Sequence, residues 1–215
     1  MSRQISVKAK IAQGRCKGEG AQYEPWIATS DFNSLGTTSV IRDWKTGRSI
    51  HCLSQGEALW YYILRWDDNN IDIREQFYLD NCITLKIAKA NGIRHPRNNK
   101  HIMTTDFLVT KADGSLHAYS IKPDRNLSER TMQILCIEKI YWMNKKAKFD
   151  ILFKTDANKI LASNIRLVTE FYDQKRVFDK YSAIKHKIAI KEYCIDMGTV
   201  LIDNQILDKV LENNA

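Results

Sequence analysis

Little in this sequence interrupts a folded chain. Its 215 residues include only 3 Pro and 9 Gly, which argues against long linkers and low-complexity segments. No apolar run reaches membrane-spanning length, and the N-terminus lacks the apolar core of a signal peptide, so the expectation is a soluble protein with no membrane partner. The five cysteines are odd in number and widely spaced, with no C-x-x-C pair and no His at zinc-ligand spacing. That excludes a disulfide framework and a structural zinc site, and predicts reduced, mostly packed thiols in a cytoplasmic protein. Acid is missing from one stretch: between Asn81 and Thr105 there is no Asp or Glu, while Lys86, Lys89, Arg94, Arg97 and Lys100 are all basic.

What is present fits a globular α/β domain. Hydrophobic residues make up 44% and charged residues 27%, close to the averages of folded proteins. The formal net charge of +8 raises the prospect of a polyanionic partner through counterion release, although a solvated basic surface produces the same total. The length suits one catalytic domain over residues 1–155, beginning with an extended arm, and a small extension over 156–215 for docking a partner or DNA.

Along the chain, Ser54 and Glu57 have the spacing of a capping box ahead of the apolar run Ala58 to Leu64, which predicts a helix start. Ile71 to Leu79 alternates with period two, placing Ile71, Ile73, Phe77 and Leu79, with Glu75, on one face of a strand. His101 to Lys111 and Ser115 to Lys122 read as a hairpin closed by Pro123. A helix over Leu127 to Lys146 follows, its predicted stripe formed by Met132, Leu135, Cys136, Lys139, Ile140 and Met143, and then a buried strand from Phe149 to Phe153. This order implies a mixed central sheet flanked by helices. In the extension, Arg176, Lys180, Lys185, Lys187 and Lys191 mark either a docking surface or, more commonly, a solvated helix face.

Glu57, Asp106 and Lys122 are the candidates for chemistry. Phosphodiester hydrolysis needs a positioned water and neutralised phosphate charge, which a divalent metal on a few carboxylates supplies. Asp106 interrupts an apolar, β-branched strand, where an unpaired carboxylate is costly to bury. Ser120 and Lys122 share a face of the adjoining strand. A two-residue turn at Asp113-Gly114 points Asp106 away from Lys122. A three-residue loop, Ala112-Asp113-Gly114 with Gly114 left-handed, sets it opposite Ser120, and is the expected register. Each residue also has a plainer reading: Glu57 as a capping residue, Asp106 as the ion-pair partner of Lys122, and Glu75 as a core salt bridge.

The residues Gly14-Arg15, Gly18-Glu19-Gly20, Tyr23-Glu24-Pro25-Trp26, Lys45-Thr46-Gly47-Arg48, Leu53-Ser54 with Glu57, Ile71 to Phe77 (IDIREQF), Thr105 to Val109 (TDFLV), Ile121-Lys122-Pro123, Glu129-Arg130-Thr131 and Tyr141-Trp142 together resemble the TnsA endonuclease family. These proteins are the strand-cleaving partners of DDE transposases in heteromeric cut-and-paste transposons. The resemblance implies a restriction-endonuclease-like core that cleaves at the 5′ ends of the element in the bacterial cytoplasm. It makes Glu57 and Asp106 ligands of Mg2+, with Mn2+ as a substitute. Ile121 would offer its backbone carbonyl to the metal and Lys122 would be the active-site lysine. The implied partners are double-stranded DNA at transposon ends, a TnsB-like DDE transposase and a TnsC-like ATPase regulator. The basic segment carrying Lys86, Lys89, Arg94, Arg97 and Lys100 is expected to contact the DNA backbone. One departure stands out: the position two before the lysine is usually Gln in the family and is Ser120 here, and a hydroxyl is a shorter, weaker ligand. That keeps open a catalytically weak or inactive architectural subunit bridging transposase and ATPase, and, less in keeping with the N-terminal similarity, a stand-alone nuclease.

Overall fold

The computed structural model describes residues 5–31, 37–96 and 102–213. The N-terminal arm contains a short helix, α1 (Val7–Ala12), two 3-10 turns and a hairpin of β1 (Ser39–Arg42) and β2 (Ser49–Cys52). Helix α2 (Gln55–Trp66) starts where the capping box predicts it. Ser54 Oγ accepts the Glu57 N–H at 3.2 Å, and Glu57 in return accepts the Leu53 N–H at 2.8 Å and the Ser54 hydroxyl at 2.8 Å.

The central sheet has the strand order β3 (Asn70–Tyr78), β4 (Thr104–Lys111), β5 (Leu116–Lys122), β6 (Lys148–Phe153). The first three run antiparallel, and β6 joins β5 in parallel after a crossover through α4 (Glu129–Asn144). This is the mixed sheet flanked by helices that the element order implies. On one face α2 packs Tyr61 and Leu64 against Ile73, Phe107, Val109 and Tyr119. On the other, α3 (Asn81–Ala90) and α4 pack Ile87, Ile137, Tyr141 and Trp142 against Leu79, Leu108 and Ala118.

The hairpin register is the expected one. Lys111 and Ser115 close a three-residue loop, with Gly114 at φ +80°, and Phe107 pairs with Tyr119. Continued by one residue, that register sets Asp106 against Ser120.

Two strand and helix faces differ from expectation. A bulge between Asn70 and Asp72 turns Ile71 out to solvent, 55% exposed, and Phe77 packs on the α3/α4 side while Ile73 packs on the α2 side. The strand therefore changes face at Gln76, whose φ is +48°. In α4 the stripe is rotated: Met132 and Met143 are exposed, and the buried residues are Leu135, Ile137, Glu138, Tyr141 and Trp142. This helix is apolar on nearly all sides, so periodicity alone does not choose between faces. The thiols are all free, but Cys82, Cys136 and Cys194 are exposed rather than packed.

Residues beyond β6 form α5 (Lys159–Thr169), α6 (Lys180–Ala189) and α7 (Asn204–Asn213), which share a core of Ile165, Val168, Ile184, Ile188 and Leu207. Tyr62 and Trp66 of α2, with Trp44, pack against it and join these helices to the first part of the chain. Three of these cations are paired: Lys180 with Asp208, Lys187 with Glu192, and Lys191 with Asp68 in the turn after α2. No described helix is long and apolar enough to cross a membrane.

Candidate active site

The site forms where β4 and β5 part. Beyond the Phe107–Tyr119 pair, the Asp106 carboxylate reaches toward β5 and accepts the Ile121 N–H at 2.6 Å, with Ser120 Oγ at 3.5 Å and Lys122 Nζ at 3.8 Å. Lys122 Nζ donates to Ser120 Oγ at 2.7 Å and to the Ile121 carbonyl at 3.0 Å. Asp106, Ser120, Ile121 and Lys122 are thus brought together, as the register requires. The side chains of Asp106 and Lys122 are 18% and 24% exposed, so both can meet a substrate from solvent.

Glu57 joins from α2. The first turn of that helix buries its carboxylate against the sheet end, where Gln76 Nε2 lies 3.2 Å from Glu57 Oε2 and 3.3 Å from Asp106 Oδ1. Burial first, then the charge of Asp106, push the Glu57 carboxyl up to about 7, against the downward pull of its hydrogen bonds from Leu53, Ser54 and Gln76. The capping role and the place in the site therefore belong to the same side chain. Glu75, by contrast, is a core ion pair: its Oε1 lies 2.8 Å from Arg48 Nη1 and accepts the His51 N–H at 3.1 Å.

Sequence reasoning missed two site residues. Gln76 is one; a strict period-two reading puts it on the solvent side. The other is Glu138, which the rotated α4 stripe brings under β4, where it accepts the Thr105 hydroxyl at 2.7 Å while Thr105 Oγ1 accepts Trp142 Nε1–H at 2.6 Å. Its spacing from Leu135, Tyr141 and Trp142, at three and four residues, was the available signal. Burial, followed by the charge of Asp106, pushes Glu138 up to about 8, opposed by Thr105, Lys122 and Ser120.

The sign of that shift sets a pH dependence. With its folded value above the ordinary 4.5, Glu138 holds an extra proton in the native state between about 4.5 and 8, so its contribution to stability is present below that window and is lost as pH rises through it. Glu57 adds a slope of the same sign up to about 7. In metal-free buffer, the unfolding free energy from denaturant titration is expected to fall from pH 5 to pH 8, by up to ~1.4 kcal/mol per pH unit for each such group. Glu138→Gln should flatten the profile. A variant that keeps the full parental slope would remove Glu138 from this role.

The donor set suits a hard divalent cation. Among the described residues no three His, Cys, Asp or Glu side chains converge as a closed metal cage. Magnesium, however, is held by one or two carboxylates with carbonyls and waters completing its shell. Two acids sharing one amide donor, one of them forced toward protonation by burial and then by the charge of the other, make a pair that a cation would relieve.

Of the predicted DNA-contacting residues, Lys86 and Lys89 are exposed on α3 and Arg94 is exposed just after it. Arg97 and Lys100 lie outside the described residues. A groove of about 920 Å³ lies apart from these residues, lined by Arg42, Trp44, Tyr62, Arg166 and Arg176 among others.

Comparison with known proteins agrees with this geometry. A family model described as the TnsA-like endonuclease N terminal matches residues 67–154, a segment that carries Gln76, Asp106, Ser120, Lys122 and Glu138, with Glu57 just before it. The chain is also 36% identical over 167 residues to the transposon Tn7 transposition protein TnsA of Escherichia coli. That alignment takes in 75% of this chain and 61% of the relative, so the chain spans less than two-thirds of that protein's length. On this similarity and on the mixed sheet that presents Asp106 beside Lys122, residues 67–154 resemble the N-terminal endonuclease domain of TnsA-like proteins.

Proposed function

We propose that this protein is a metal-dependent DNA endonuclease subunit of a heteromeric cut-and-paste transposase, hydrolysing the phosphodiester at the 5′ ends of the element. The observation that carries the reading is the meeting of the Asp106 carboxylate, the Lys122 ammonium and the Ser120 hydroxyl at a solvent-accessible sheet end, with Glu57 linked through Gln76.

Asp106, Glu57 and the Ile121 carbonyl would hold Mg2+ or Mn2+. When bound, such a cation supplies Lewis-acid polarisation of the phosphoryl oxygens and a bound water of lowered pKa. The chain's own groups do the rest. Ser120 and the Ile121 carbonyl hold Lys122 Nζ beside Asp106, where the ammonium offsets phosphate charge and orients the attacking water. Ser120 serves here as a partner of the lysine, which suits a hydroxyl better than metal ligation. The Ile121 N–H fixes the same Asp106 oxygen that Lys122 approaches. The products are a 5′-phosphate and a 3′-hydroxyl.

Lys86, Lys89 and Arg94 would track the DNA backbone on the way to the site, contributing affinity rather than sequence choice. Reading the ends is left to a TnsB-like DDE transposase, and activation to a TnsC-like ATPase. With those partners and end-labelled transposon DNA, cleavage of the 5′ strand is expected in Mg2+ or Mn2+ and its loss in EDTA, followed on denaturing gels. Cleavage that persists in EDTA sinks the metal reading. An assembled complex that never cuts that strand in either metal favours the architectural subunit.

A further inference from the structure

Gln76 sits in a backbone conformation that an ordinary side chain avoids. Its φ of +48° lies within β3, in the left-handed region that strains a non-glycine residue and that clusters at functional sites. Glycine would adopt it without strain. That the position holds a buried glutamine, 2% exposed, points to the side chain as the reason.

The surroundings hold this conformation in place. The Gln76 carbonyl is turned out of the sheet to accept the Trp26 N–H at 3.2 Å, and the Cys16 thiol lies 3.7 Å away. Both belong to the N-terminal arm that covers the outer edge of β3. Because the strand changes face here, the carboxamide is thrown to the sheet end, between an acid from α2 and an acid from β4.

The amide is matched to that place in two ways. Its nitrogen carries two hydrogens, one available to each carboxylate, at 3.2 Å and 3.3 Å. Its oxygen accepts the Thr104 hydroxyl at 3.1 Å. A hydroxyl both donates and accepts, so a half-turn of the amide exchanges nitrogen and oxygen without costing Gln76 its partner at Thr104. Turned that way, the amide oxygen faces two carboxylates. It is repelled there unless a cation lies between them, and an uncharged oxygen is a suitable ligand for a hard divalent ion.

We infer that Gln76 is a metal-site residue of this protein: its carboxamide ties Glu57 to Asp106 in the metal-free state and turns its oxygen onto the divalent cation when one binds. The inference rests on reading the site as a divalent-cation centre.

The test is Mn2+ binding to the full chain, by calorimetry and by the rise in unfolding temperature, with no activity assay. Gln76→Gly removes the amide while favouring the backbone conformation, and is expected to weaken Mn2+ binding about tenfold or more. Gln76→Glu places an anionic oxygen at the same point and is expected to enlarge the Mn2+-induced rise in unfolding temperature. Asp106→Asn should lose binding. If Gln76→Gly binds Mn2+ like the parent while Asp106→Asn does not, the role of Gln76 is overturned and the centre stands. An unchanged thermal response in Gln76→Glu overturns it equally. No binding by the parent protein removes the cation centre, and this inference with it.

Discussion

Asp106→Asn is expected to cut 5′-strand cleavage at least about a thousandfold, because the several kcal/mol of charge stabilisation at the phosphate depend on that carboxylate. Asparagine is the informative replacement. It keeps an oxygen to accept the Ile121 N–H, the 2.6 Å bond that anchors the side chain, so the sheet end keeps its shape while losing one negative charge. Lys122→Ala should fall by about 10² to 10³, the usual consequence of removing one donor aimed at developing charge. The two variants should differ in metal binding: the first loses it, and the second retains it, since Lys122 is not a ligand. Single-turnover cleavage of end-labelled DNA, with Mn2+ titrations alongside, separates the roles. Asp106→Asn protein cutting at the parental rate would end the assignment.

How far the site could be read in advance depended on whether local chemistry or tertiary twist placed each residue. Turn chemistry placed Asp106, Ser120 and Lys122: Gly114 at φ +80° allows the odd-length loop, and the period of a strand carries that parity to the sheet end. Capping chemistry placed Glu57, because the hydrogen bonds that start α2 also fix the direction of its carboxylate. Gln76 and Glu138 were hidden for different reasons. The period-two rule assumes an unbroken strand, and β3 has both a bulge after Asn70 and a left-handed residue at Gln76. Helix α4 carries apolar residues on opposite sides, and the sheet, not the sequence, selects the Leu135–Glu138–Tyr141–Trp142 stripe. A buried carboxylate on an apolar stripe looks like a mistake until the strand above it is known to carry Thr105 and Asp106.

Asp43→Ala is expected to cost 3 to 5 kcal/mol of folding stability, the loss typical of a buried charge stripped of its partner. Asp43 and Arg65 are 3% and 2% exposed, with Arg65 Nε 2.8 Å from Asp43 Oδ2 and Nη2 3.2 Å from Oδ1. The Tyr61 hydroxyl donates to the same carboxylate, as do the N–H groups of Lys45 and Thr46 in the β1–β2 turn. Burial raises the pKa of Asp43, but the Arg65 guanidinium and these bonds outweigh it and hold the acid below the usual range. Arg65 also donates to the carbonyls of Asn70 and Ile71, at 3.4 Å and 3.2 Å. The network therefore ties the hairpin and α2 to the start of β3, the two elements that carry Glu57 and Gln76. Because most of the expected cost is the stranded guanidinium, Asp43→Leu with Arg65→Met should recover a large part of it, leaving the lost turn bonds as the remainder. Urea unfolding of the three proteins gives the comparison. A single-variant loss below about 1 kcal/mol, the range of exposed pairs, would show that this ion pair does not hold the elements carrying Glu57 and Gln76 together.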